Sequence, residues 1–176
     1  MTPDEEVVTA ALKASDTVYT VPALREAAAL LGGLYAAGDG HGVHPDDRAG
    51  QGADLPGTAL RTITARYRRA YAHCSPCQIQ DLYRRMETEL AEAGIPSEGR
   101  YRGRLLLPRF AETPPWGWSG EAALTIAFSN GDGWTFQLAQ ERTPVIDVVA
   151  PSEAAVAELA AELLTGRRRD PVFLRP

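Results

Sequence analysis

Residues 122–140 have the sequence AALTIAFSNGDGWTFQLAQ. Two segments of strand length, Ala122–Phe128 and Trp134–Gln140, flank the tetrapeptide Asn130–Gly133. Asn and Gly adopt the positive φ angles that short hairpin turns require, so Asn-Gly between two such segments is a strong hairpin signal. We therefore predict an antiparallel β-hairpin, whose turn needs no ligand to explain it.

The segments beside this hairpin extend it to a sheet. Arg104–Phe110 and Val145–Val149 have the length and apolar content of two further strands. Pro151 and Ser152 then begin a helix that ends at Gly166. Its apolar stripe consists of Val156, Leu159, Ala160, Leu163 and Leu164. This order predicts a four-stranded antiparallel sheet with the C-terminal helix packed on one face.

The first half of the chain predicts about four helices. Apolar residues recur at helical spacing over about 3–15, from Pro22 to Tyr35, over about 58–73 and from Pro76 to about Ala93. The sequence as a whole therefore predicts an α+β fold.

A very tight turn joins the third and fourth predicted helices. Ser75 at the N-cap and Gln78 three residues later form a capping box, with Pro76 at the first helical position. Gly94 and Pro96 end the fourth helix. We therefore expect these two helices to form a helical hairpin.

The change from helical to strand periodicity predicts two units. Residues 1–96 form a helical subdomain, and residues 97–176 form the sheet with its helix; a single shared core is the alternative, because neither unit is large. Residues 37–57, AGDGHGVHPDDRAGQGADLPG, have only Val43 and Leu55 as large apolar side chains. Such a Gly- and Asp-rich segment predicts a long flexible loop.

Length and composition set the class of protein. The chain has 176 residues, of which 44% are hydrophobic, enough for a globular core. It has no run of 18 apolar residues and begins with the acidic segment MTPDEEVVTA, so we expect neither a membrane span nor a secretory signal. With two cysteines it is not a disulfide scaffold. These features predict a cytoplasmic protein that does not associate with membranes.

The charge is uneven along the chain. The net charge is −5, but residues 60–110 have ten Arg and five acidic residues, between two acidic ends. A basic helical hairpin over 58–93 would bind the phosphates of a nucleic acid. The candidate residues are Arg61, Arg66, Arg68, Arg69, Arg84 and Arg85. The alternative is that the chain's own carboxylates neutralise them.

The most reactive side chains lie in the segment His-Cys-Ser-Pro-Cys, residues 73–77. Cys77 falls in the first turn of the fourth predicted helix, where the helix dipole favours the thiolate. Over four residues, Cys74–Cys77 resembles the redox motif of thioredoxin-like proteins, and this resemblance implies thiol–disulfide exchange. A cysteine-dependent enzyme with Cys77 as its nucleophile is a related hypothesis.

The same two cysteines have the spacing of zinc ligands. Two intervening residues let the sulfurs of Cys74 and Cys77 reach one tetrahedral ion. His41, His44 or His73 would supply the remaining ligands. Two thiols packed beside the helical hairpin are the alternative that needs no metal. We expect no cofactor, and a zinc ion bound by these residues is the alternative.

A pair of tryptophans is the candidate partner site. Trp116 and Trp118 flank a glycine directly after Pro114 and Pro115. They would form an exposed aromatic platform for a protein partner, or else close the open end of the sheet.

The common catalytic motifs GxGxxG, GxxxxGK[ST], HExxH and GxSxG do not occur. The sequence therefore favours a non-catalytic cytoplasmic binding or accessory protein. It would act on a protein partner through Trp116 and Trp118 or through the surface of the sheet. The alternatives are a nucleic-acid-binding regulator that uses the basic hairpin, with zinc-binding or redox-sensing cysteines, and a cysteine-dependent enzyme.

Overall fold

The computed structural model describes residues 2–12, 17–39, 54–109, 123–139 and 145–168. The helices in these ranges are α1 (Pro3–Leu12), α2 (Val21–Asp39), α3 (Leu55–Arg69), α4 (Pro76–Glu92) and α5 (Glu153–Leu164). The strands are β1 (Thr17–Tyr19), β2 (Gly99–Tyr101), β3 (Arg104–Leu106), β4 (Leu124–Ser129), β5 (Gly133–Leu138) and β6 (Ile146–Val149). The chain thus has the mixed helix and sheet content that its sequence predicts.

The predicted hairpin is confirmed. β4 and β5 pair antiparallel along their whole length, from Leu124 opposite Leu138 to Ser129 opposite Gly133. Gly131 and Gly133 have φ angles of 93° and 86°, which L side chains rarely adopt. The two glycines therefore let the chain reverse within three residues.

The sheet differs from the prediction in size and direction. Its order is β1-β6-β5-β4-β3-β2, and β1 runs parallel to β6. A four-stranded, wholly antiparallel sheet is therefore wrong: six strands form a mixed sheet. The two unpredicted strands, β1 and β2, have three residues each, which is too short to show an alternating pattern.

Helices cover both faces of the sheet. Val148 and Val149 follow each other in β6, so their side chains point to opposite faces. Val148 packs with α4 and α5 in one apolar cluster, and Val149 packs with α1, α2 and α3 in another. We call these the α4–α5 face and the α1–α3 face.

This arrangement corrects the predicted helical hairpin. α3 packs against α1 and α2, whereas α4 packs against α5 on the other side of the sheet. The connection between α3 and α4 runs around the end of the sheet, where the carbonyl of Tyr71 accepts a hydrogen bond from the N–H of Gly131 at 3.1 Å. An apolar stripe shows that a helix packs against an apolar surface, but it does not show which element provides that surface. Two neighbouring helices with such stripes therefore need not pack against each other.

The ends of the helices follow local capping chemistry. The capping box before α4 is confirmed: Gln78 N–H donates to Ser75 Oγ at 3.3 Å, and Ser75 N–H donates to Gln78 Oε1 at 2.7 Å. Asp54 caps α3 by accepting from Gly57 N–H at 2.8 Å. Both α2 and α3 extend into the predicted flexible loop 37–57, whose residues 40–53 lie outside the described ranges.

The two predicted units both contribute to the sheet and to the helices on the α4–α5 face. β1, from the segment 1–96, pairs with β6, and α4 packs against α5 from the segment 97–176. The division near residue 96 stays a prediction. Within the described ranges, none of the helices has both the length and the hydropathy to cross a lipid bilayer.

Candidate functional site

Two of the predicted sites fall outside the residues described. Trp116 and Trp118 lie between β3 and β4, and His41 and His44 lie between α2 and α3. Their roles in binding a partner and a metal ion stay predictions.

The two cysteines lie where the chain passes around the end of the sheet. The side chain of Asn130, in the β4–β5 turn, binds both backbone groups of Cys74: Cys74 N–H donates to Oδ1 at 3.0 Å, and Nδ2 donates to the Cys74 carbonyl at 3.3 Å. Cys74 is half-buried and its thiol donates to the carbonyl of Tyr71 at 3.6 Å. Cys77, in the first turn of α4, is exposed. The two thiols therefore differ in their access to solvent.

The described residues do not complete a metal site around these thiols. His73 is exposed and has a φ angle of 62°. In the described part of the chain, no three His, Cys, Asp or Glu side chains are grouped so that they could hold a metal ion. A structural zinc ion needs four ligands, of which Cys74 and Cys77 would supply two. The zinc site stays a prediction.

The basic residues predicted on α3 have carboxylate neighbours. Arg61 lies 3.3 Å from Asp54, and Arg66 lies 3.4 Å from Glu26. Both pairs are largely exposed, so each contributes little to stability. Arg69 is exposed as well. The remaining residue, Arg68, faces the sheet and is considered below.

The basic residues predicted on α4 lie on the other side of the molecule. Arg84 pairs with Asp81 at 3.1 Å, and Arg85 pairs with Glu153 at 3.2 Å. Because α3 and α4 cover opposite faces of the sheet, the six arginines do not form one basic surface. Their role in nucleic-acid binding stays a prediction, without the continuous hairpin on which it depended.

Sequence reasoning missed a polar surface on the α1–α3 face. The apolar cluster on this face includes side chains of β1 and β6, but none from β3, β4 or β5. Strand alternation places seven side chains of β3–β5 on that face. They are Arg104, Leu106, Thr125, Ala127, Ser129, Thr135 and Gln137, and we call this surface the polar half-face.

The middle of the polar half-face is uncharged and has its hydroxyl groups already engaged. Thr125 Oγ1 donates to the carbonyl of Gln137 at 2.8 Å, and Thr135 Oγ1 donates to the carbonyl of Ala127 at 3.3 Å. Both threonines are buried, whereas Ala127 and Gln137 are half-buried. The charged groups of this surface therefore lie at its borders.

One border is formed by α3 and β6. Asp147 lies directly opposite Thr135 in the sheet, and Arg68 Nη2 donates to Asp147 Oδ2 at 2.8 Å. The side chains of Arg68 and Asp147 are 33% and 37% exposed, so this border is open to solvent. Nε of Arg68 is buried and has no hydrogen-bond partner in the described ranges.

The other border is formed by Arg104 in β3. Arg104 pairs with Tyr101 in β2, and its neighbour Leu105 points to the opposite face. Nη1 of Arg104 is buried and has no hydrogen-bond partner among the residues described. β3 and β6 are three strand spacings apart, about 14 Å at about 4.8 Å per spacing. Two arginines, each with one buried nitrogen that lacks a partner, thus border an uncharged surface.

A sequence signal for this surface existed. Asp147 interrupts the apolar segment Val145–Val149, and Arg104 begins a strand whose next three residues are leucines. A charged residue within a buried strand is costly unless it is paired, so it often indicates a site. Arg68 was a candidate for phosphate binding, but its partner Asp147 was not identified.

Comparison of the chain with models of known protein families, with curated proteins and with solved structures finds no match. The geometry of the polar half-face and its borders is therefore the basis for a functional proposal.

Proposed function

We propose that this chain is a non-catalytic binding protein that receives a protein partner on the polar half-face. The observation that carries the proposal is the difference between the two faces of the sheet. On the α4–α5 face, β3, β4 and β5 pack their side chains into an apolar cluster with two helices. On the α1–α3 face the same strands have threonine, glutamine and arginine; Thr125 and Thr135 are buried, whereas Leu106 and Ala127 are half-buried. The half-buried residues of this surface include both polar and apolar side chains, as non-obligate protein interfaces do.

The proposal includes a cytoplasmic setting. Cys74 and Cys77, the two cysteines of the chain, are both free thiols. Free thiols persist in a reducing compartment, which supports this part of the proposal.

Site-specific photo-crosslinking in the cells that produce the protein tests the proposal. A photoreactive amino acid replaces Leu106 on the polar half-face, and in a control protein it replaces Thr88, which is exposed on α4. We expect a discrete crosslinked product from position 106 and none from position 88. Identical products from both positions, or no product from position 106, would contradict the proposal.

Trp116 and Trp118 remain part of the proposed interface as a sequence prediction. The double substitution Trp116→Ala and Trp118→Ala is expected to abolish the product from position 106 and to leave the circular dichroism spectrum unchanged. Retention of that product would remove the tryptophans from the interface but keep the polar half-face in it.

A further inference from the structure

We infer that Cys74 and Cys77 form a reversible redox site, in which a small-molecule disulfide oxidises the two thiols to one intramolecular disulfide. This inference goes beyond the proposed function and does not depend on the polar half-face. Cys74 directly precedes the N-cap residue of α4, and Cys77 lies in the first turn of that helix. Two cysteines separated by two residues at such a position can form a disulfide with little movement of the backbone.

The backbone around the two thiols is held in place before they react. Asn130 binds both backbone groups of Cys74. Ser75 and Gln78 bind each other's backbone N–H through the capping box, and the ring of Pro76 fixes its own φ angle. The second cysteine already belongs to α4. Closure of the disulfide therefore requires rotation of side chains more than rearrangement of the chain.

The two thiols differ in the step at which they react. Cys77 is exposed, whereas Cys74 is half-buried and its thiol donates to the carbonyl of Tyr71 at 3.6 Å. The side chain of Cys74 also packs against the apolar cluster of the α4–α5 face. Because exchange requires access to the attacking sulfur, a dissolved disulfide reacts first with Cys77. Cys74 reacts second, from within the chain.

Two successive exchanges convert the thiols to the disulfide. The thiolate of Cys77 attacks one sulfur of the small-molecule disulfide, whose S–S bond breaks as a mixed disulfide forms and one small thiolate leaves. The thiolate of Cys74 then attacks the sulfur of Cys77, and the second small thiolate leaves. The two protons lost by the cysteines go to the two small thiolates. The chain loses two electrons and the small-molecule disulfide gains them, and an excess of the small thiol reverses both steps.

The contact between Cys74 and Tyr71 favours reversibility. It requires an S–H group, so the bond to the Tyr71 carbonyl exists in the reduced chain and is lost in the disulfide. Interactions that stabilise the dithiol make the corresponding disulfide easier to reduce. The disulfide is therefore a state that the chain enters under oxidation and leaves again, rather than a permanent crosslink.

Reaction of the full chain with glutathione disulfide tests the inference. Samples are quenched with acid at a series of times and their intact masses are measured. We expect transient addition of one glutathione, then a chain that has lost two hydrogen atoms, and recovery of both thiols when reduced glutathione is added in excess. Stable glutathione adducts without an internal disulfide, a disulfide-linked dimer or no reaction would overturn the inference.

Two variants test the order of the steps. Cys74→Ser lacks the thiol that closes the disulfide, so it is expected to retain one glutathione on Cys77. Cys77→Ser lacks the exposed thiol, so its first addition is expected to be at least about tenfold slower. Equal rates of first addition in the two variants would overturn the assigned order. The experiment with the original chain decides the inference if either variant does not fold.

A third variant tests Asn130 as a positioning residue. Asn130→Ala frees the backbone of Cys74, so we expect it to slow closure of the disulfide at least about threefold without a change in the first addition at Cys77. Asp132→Ala removes a hydrogen bond within the same turn and is the matched control, with neither rate changed. Equal closure rates in the two variants, or a slower first addition in Asn130→Ala, would overturn this positioning role.

Discussion

The side chain of Asn130 holds the backbone of Cys74 through two hydrogen bonds, of 3.0 Å to its N–H and 3.3 Å to its carbonyl. This relationship fastens the α3–α4 connection to the β4–β5 turn. The start of α4 and the end of β4 are thereby held together without a covalent bond.

Loss of this amide destabilises the protein. Asn130→Ala removes both bonds, and we expect it to lower the free energy of unfolding by about 1–2 kcal/mol. The control is Asp132→Ala, which removes an exposed bond from the Ser129 hydroxyl within the same turn. Urea denaturation measures both variants. Equal effects would show that the turn, rather than its contact with Cys74, is responsible.

Gly133 and Gly131 form a natural pair for testing the contact with Tyr71. Both have positive φ angles, but a Cβ on Gly133 would lie 2.9 Å from Cδ2 of Tyr71, whereas a Cβ on Gly131 would meet no atom within 4 Å. Gly131→Ala is expected to cost about 1 kcal/mol through its backbone conformation, and Gly133→Ala about 1–3 kcal/mol more through overpacking.

Urea midpoints of the two glycine variants measure this difference. In a Tyr71→Ala background the extra cost of Gly133→Ala should shrink. An extra cost that persists without the ring would assign it to the backbone of β5 instead.

Stability in alkaline solution depends on Tyr71. Burial, together with the nearby negative charge of Glu153, raises the pKa of Tyr71 from its usual value of 10.0 to about 12. The folded chain therefore keeps a proton that the unfolded chain releases above about pH 10, so the free energy of unfolding falls as the pH rises from about 10 to about 12.

Tyr71→Phe is expected to flatten this alkaline decline and to leave the pH dependence between 7 and 9 unchanged. Urea denaturation at a series of pH values measures the effect. Burial also raises the pKa values of Tyr19 and Tyr67, so part of the decline should remain. A decline as steep as in the original chain would show that Tyr71 has the same pKa in the folded and the unfolded chain.

The two cysteines should differ in alkylation rate. Cys77 is exposed, whereas Cys74 is half-buried and its thiol donates to the Tyr71 carbonyl. With iodoacetamide and mass detection, we expect one fast and one slow modification, and Cys77→Ser should remove the fast one. Two equal rates would contradict the difference in exposure. The pH dependence of the fast rate also tests the cysteine-dependent hypothesis, which requires a depressed thiol pKa.

Local signals in the sequence predicted the elements better than their assembly. The Asn130–Gly133 turn and the Ser75 capping box each depend on a few adjacent residues, and both are confirmed. β1 has three residues and is a strand because β6 lies beside it, which no local pattern contains. The same limit explains the wrong helical hairpin, because an apolar stripe does not identify its partner.

The candidate site could be predicted only in part, for a related reason. Arg68 stands out in a basic segment, but its partner Asp147 is 79 positions away and its surface is completed by Arg104 from a third element. The order and register of the strands decide on which face of the sheet each side chain lies. The sequence does not contain this order in any local pattern, so it does not show that these residues share one surface.

The pairing of β1 with β6 has a consequence for biosynthesis. Val18 and Val148 lie side by side although 130 positions separate them. While the ribosome is still making the chain, α1, α2 and α3 can pack only on the three residues of β1 until residues 146–149 have emerged. We therefore expect the nascent N-terminal helices to expose their apolar sides for most of translation, and to depend on chaperones until the last strand arrives.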